Sequence, residues 1–157
     1  MAEILCPDLQ AFMEIMNQSI DYTMKHEIAE MTKSAIAVMV EKKVYQVYQP
    51  KSYARMGEFG GLADRNNMEV HYEKQTRTLT VQDVRDDPDT KEKRWKITGD
   101  PDNTVADVVE NGGPYTWRVR IPPRPFHQPA EEFLIDGGYV DRKLTEAMEA
   151  NLAGWSY

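Results

Sequence analysis

A chain of 157 residues with 41% hydrophobic content carries enough apolar material to bury one core without staples, which argues against wholesale disorder and for one globular domain. The net charge of −7, from 26 acids against 19 bases, with no block of five or six basic residues, argues against tight binding to a phosphate backbone. A single cysteine, Cys6, excludes an internal disulfide, no apolar run approaches the ~20 residues that span a bilayer, and MAEILCPDL lacks the basic opening of a secretion signal, so the expectation is a protein made and kept in a cytoplasm.

The first element is a helix. From Leu9 the apolar residues fall at Phe12, Met13, Met16, Ile20, Met24, Ile28, Met31, Ala35 and Met39, in steps of three and four with polar residues between. Asp8 stands as a candidate N-cap after Pro7, and Lys42 and Lys43 stand where cations suit the helix dipole. A helix from about 9 to 42 is roughly 50 Å long at 1.5 Å per residue. That exceeds the diameter of a domain this size, so part of it finds a partner elsewhere or the helix breaks near Thr32 to Ser34. The methionine-rich stripe packs adaptably as core or as an intersubunit face, with Met16, Ile20 and Met24 as candidate contacts.

After the helix the apolar period falls to two. VYQVYQ (44 to 49), MEVHYE (68 to 73) and RTLTVQDV (77 to 84) read as strands from their β-branched and aromatic content. Met68, Val70 and Tyr72 alternate with Glu69, His71 and Glu73, which leaves one face wet. QPKSYARMGEFGGLADRNN (49 to 67) is too long for a hairpin turn, and its Arg55, Glu58 and Arg65 are candidate partner contacts. The excursion at 83 to 103 combines acidic DVRDDPD, the basic run KEKRWK and a short possible strand RWKIT, and reads as a solvated hairpin tip.

TVADVVENGG then gives a short helix, with Asn103 or Thr104 as its cap, Val105, Val108 and Val109 on one face, and Gly112 or Gly113 closing it in the left-handed conformation. YTWRVRI (115 to 121) reads as a last strand. In PPRPFHQPAEEF (122 to 133), Pro122, Pro123 and Pro125 remove three backbone donors, so the segment cannot lie inside a sheet. Phe126 is its one apolar anchor before the helix, Pro129 opens the next helix at a tolerated first position, and Glu131 and Glu132 suit the first turn. Further helical segments, Pro129 to Leu134 and Val140 to Leu152, are broken at Gly137 and Gly138.

The whole is α+β: a long N-terminal helix (1–43), a small mostly antiparallel β-sheet (44–121) with the extended loop and the hairpin, and a Pro-rich ramp (122–157) leading to a C-terminal helix packed on the sheet. Catalytic groups do not converge in this reading. His26, His71 and His127 fall on a helix, a strand and a proline-rich loop without metal-ligand spacing, and Asp86, Asp87 and Asp89 lack the pattern of a calcium loop. A nuclease set could be drawn from Pro7, Asp8, Glu41 and Lys43, but these bracket the long helix. No cofactor, metal or enzyme activity is expected.

Three stretches in order, VADVVENGGPYTW, RPFHQPAEEF and DRKLTEAMEANL, resemble the tail-completion, or head-to-tail joining, proteins of long-tailed DNA bacteriophages. In that family a helix ending in Val-Glu-x-Gly precedes a strand, an Arg/Gln-Pro-Phe-x-x-Pro-Ala segment and a closing helix. VYQVYQPKSYARMGEFGGLADRNNMEV resembles the corresponding block of prophage members from Gram-positive bacteria. The resemblance covers roughly two thirds of the chain, departs from the pattern at 83 to 103, and marks Glu110, Gly112, Pro125, Phe126 and Pro129 as structural anchors.

The resemblance implies a structural virion protein of the neck, assembled in the host cytoplasm as a ring, commonly a hexamer, between head-closure and tail-terminator proteins. DNA passes through such a ring without specific binding, and an acidic chain suits a lumen that repels phosphate. A neighbouring tail-terminator role and a phage-encoded inhibitor or adaptor acting on a host protein are the rival expectations; closed-ring formation separates the latter.

Overall fold

One helix dominates the N-terminal third. The structure, a computed structural model, describes residues 6–47, 49, 61–83, 105–116 and 119–153. Helix α1 (Cys6–Thr23) runs through a π-helical segment (Met24–Ile28) into α2 (Ala29–Val40) and a second π segment (Glu41–Tyr45). The junction residues Ile28, Ala29, Val40 and Glu41 all keep right-handed helical dihedrals, so the elements form one rod. Of the two alternatives for so long a helix, a break at Thr32 to Ser34 does not occur: the Thr32 hydroxyl donates to the Ile28 carbonyl and that of Ser34 to the Glu30 carbonyl, each at 2.8 Å, which satisfies them inside the helix. Asp8, expected as the cap, falls inside the first turn because the helix already starts at Cys6.

The rod also overruns the expected strand VYQVYQ. Ile36, Val40 and Val44 are buried at a spacing of four, so Val44 continues the helical core face through the π segment, and the chain turns only at Gln46 and Val47. Burial of that face outweighs the β-propensity of Val44 and Tyr45.

Strands β1 (Met68–Glu73) and β2 (Thr78–Asp83) form an antiparallel hairpin in which Met68 faces Asp83 and Glu73 faces Thr78. Helix α3 (Val105–Asn111) ends at Gly112, whose φ of 71° supplies the left-handed closing residue. The expected single strand YTWRVRI is instead folded on itself: β3 (Gly113–Thr116) and β4 (Val119–Ile121) pair antiparallel, with a register shift between Pro114 and Thr116. The excursion at 84–104 lies outside the described residues.

Helices α4 (His127–Asp136) and α5 (Tyr139–Ala153) complete an α+β architecture. Where the sequence places the closing helix on the sheet, α4 packs along α2 and α5 along α1, because the rod offers a longer apolar face than a two-stranded hairpin. Helix α5 runs antiparallel to the rod: Lys143 lies beside Glu27, and Asn151 donates to the Ser19 hydroxyl at 2.6 Å. The core joins Ala35, Ile36, Val40 and Val44 to Leu62, Met68, Ala106, Val109, Phe126, Ala130 and Leu134.

Candidate functional site

The ramp is held at both ends of its polarity. Phe126 is 0% exposed and sits among the core residues of the rod, α3 and α4. Burial of such a ring is worth roughly 1.5 to 3 kcal/mol. Pro122, Pro123 and Pro125 remain exposed, as residues without a donor to satisfy can be. The Arg124 N–H donates to the Val109 carbonyl at 2.8 Å, tying the ramp to the end of α3.

The second hold is a carboxylate. Glu110, at the C-terminal end of α3, accepts the Phe126 N–H at 2.9 Å and the His127 N–H at 3.2 Å, and its Oε2 lies 3.2 Å from His127 Nδ1. Phe126 is the N-cap position of α4 and makes no side-chain cap of its own, so Glu110 caps α4 from another helix and places a negative charge at its positive end. The sequence assigns that role to Glu131 and Glu132. Helix α4 starts at His127, however, so both lie beyond the first turn and are exposed. Pro129 is accordingly the third helical residue and not the first. Its missing N–H is still harmless, since the first intrahelical bond runs from the Ala130 N–H to the Phe126 carbonyl. The capping role of Glu110 lies across sixteen residues of chain, and no local pattern announces it.

A second polar cluster pins the hairpin to α1. The Tyr72 hydroxyl donates to Asp21 Oδ1 at 2.7 Å, Lys74 Nζ lies 3.0 Å from Asp21 Oδ2, and Arg77 Nη2 donates to the Asn17 side chain. The Tyr72 hydrogen bond, and after it Lys74, holds the Asp21 carboxyl below its ordinary range. Burial, reinforced by the Asp21 carboxylate, pushes the Tyr72 phenol up from 10.0 to about 12. The neutral phenol and the ionised carboxylate therefore favour each other.

The candidate contact residues scatter. Met16 is 9% exposed and thus covered within the chain, while Ile20 and Met24 are half-buried on the same helix. Arg55 and Glu58 lie outside the described residues. Arg65 is exposed, and its guanidinium donates to the Ser34 hydroxyl at 2.8 Å and stands 3.9 Å from Glu30, which draws the end of the loop onto α2. Leu62, near that loop end, is buried in the core.

What composition did not reveal is a groove of about 460 Å³ between α2 and the closing helices. Met31, Ala35, Val38 and Met39 form one wall, Phe133, Leu134 and Tyr139 the other, and Glu27, Glu30 and Lys42 stand among its polar lining residues. Val38 and Phe133 are 49% and 48% exposed there. Spacings of three and four from Met31 to Lys42 were the available signal.

Among the described residues no group of three or more His, Cys, Asp and Glu side chains is placed to hold a metal ion, and no helix is long and apolar enough to cross a membrane. Asp8 and Glu41 stand at opposite ends of the rod, and His26, His71 and His127 on three separate elements. A protein-family model described as YomN matches residues 7–153. No curated protein and no solved structure matches the chain.

Proposed function

The chain belongs to the YomN family; from the resemblance of its motifs to tail-completion proteins we propose that it is a structural protein of a phage neck, forming a ring that joins a DNA-filled head to a tail. The observation that carries the reading is the bond between Glu110 and Phe126. Val-Glu-x-Gly and Pro-Phe-x-x-Pro-Ala are the two motifs on which the resemblance to tail-completion proteins rests. Glu110 of the first caps the helix that the second begins, so the two are parts of one device for aiming α4.

That device suits a scaffold. A helix whose entry is fixed by a buried ring and by a carboxylate keeps its outer face in one orientation relative to the rod. Repeating subunits need such constancy to close a ring. The net charge of −7 agrees with a lumen that lets DNA slide through without holding it.

Negative-stain imaging of the purified full chain, alone and mixed with isolated phage tails, tests the reading. Rings in solution or discs at one tail end are expected. A chain that stays monomeric and leaves tail ends bare points to the inhibitor or adaptor role instead.

A further inference from the structure

We propose that the exposed N-terminal turns of the rod dock into the groove between α2 and the closing helices of a second copy, in a head-to-tail contact. The inference rests on the ring reading above and names the surface that ring would use.

Among the described residues, apolar side chains are uncovered toward both ends of the same rod. At the tip, Leu9 and Met13, spaced by one helical turn, are 51% and 55% exposed. The groove is a straight row on α2, from Met31 through Ala35, Val38 and Met39, walled by Phe133 and Tyr139. This is the geometry in which an amphipathic helix lays its i and i+4 residues into an apolar channel. Methionine on both sides tolerates imperfect fit.

Charge selects the occupant. Glu27 already stands 3.7 Å from Lys143, and Glu30 stands 3.3 Å from Lys33. Lys42, the cation lining the groove, has no ion pair among the described residues, and neither has Glu14, the acid beside Met13 on the tip. A second copy supplies an apolar pair together with an acid, matching an apolar channel together with a base. Because tip and groove are different patches of one chain, their contact is heterologous and propagates into a ring or a filament.

Full-length chains with Met13→Asp at the tip or Val38→Asp in the groove test the contact by sedimentation over a range of concentrations, with circular dichroism verifying the fold. Both sites are exposed, so each variant is expected to fold and to associate about ten- to a hundredfold more weakly than the parent. Mixing the two variants is expected to give dimers and nothing larger, since one intact tip and one intact groove remain. Glu14→Lys and Lys42→Glu singly weaken association by up to about fivefold, and together restore it.

A parent chain that does not self-associate overturns the proposal, as do variants that assemble like the parent or a charge swap without recovery. Rings unaffected by both apolar variants sink this contact while leaving the ring reading intact. Filaments that depend on Met13 and Val38 but never engage a tail uphold the contact and sink the neck assignment.

Discussion

The carboxylate of Glu110 accepts the backbone N–H of Phe126 at 2.9 Å, and through it the end of one helix fixes the beginning of another. Removing the carboxylate strands the N–H of a residue that is itself fully buried. Glu110→Ala is expected to cost about 1 to 3 kcal/mol in urea unfolding, and Glu110→Gln less, because the amide oxygen still accepts. Equal stability for all three chains would show that water satisfies these groups as well.

Phe126 is the apolar half of the same hold. Phe126→Ala leaves a cavity among Val40, Val109, Ala130 and their neighbours and is expected to cost ~3 to 5 kcal/mol. That is a large share of a typical domain's stability. The thermal midpoint measures it, and a shift of only a degree or two would mean that the ramp is held elsewhere.

Gly137 joins α4 to α5 where no larger residue fits. An added Cβ would lie 2.4 Å from the Tyr139 ring and 2.6 Å from the Phe133 carbonyl. Gly137→Ala is expected to cost about 1 to 3 kcal/mol through overpacking, and to repack the Phe133 and Tyr139 rings whose centroids are 5.0 Å apart. At Gly138 nothing lies within reach, but φ is +64°, so Gly138→Ala should cost only about 1 kcal/mol, the left-handed strain less the entropy gained in the unfolded chain. Thermal melting ranks the two, and the reverse order would contradict this account of the bend.

Tyr72 and Asp21 make stability depend on pH at both extremes. The phenol titrates near 12 in the folded chain against 10.0 when free, so its contribution is complete below about pH 10 and is lost as the pH rises from 10 to 12. Asp21 works in the opposite sense: its depressed carboxyl stabilises the fold above its ordinary value of 3.8 and ceases to do so as the pH falls through the lower folded value. Spectrophotometric titration should find a tyrosine step that comes late, and Tyr72→Phe should remove it. If the late step persists in that variant, another tyrosine is responsible.

The rod and the first hairpin were legible because their patterns are local: apolar steps of three and four up to Met39, then strict alternation from Met68 to Glu73. Val44 misled because its β-branched neighbourhood suggests a strand, whereas its spacing from Ile36 and Val40 places it on the helical core face. YTWRVRI held two strands in the length of one. The Glu110 cap depends on chain returning after sixteen residues, and the groove depends on α4 lying along α2; both are products of tertiary packing. Arg65 was legible as polar and exposed, but not its bond to Ser34.

The proposed neck role predicts that this chain joins heads to tails, and an in vitro joining assay tests that step. Extracts of the encoding phage grown without the chain should contain DNA-filled heads and finished tails that remain separate, and adding the purified chain should yield joined, infectious particles. Extracts that yield joined particles without it, or separate heads and tails that stay apart after its addition, would contradict the account.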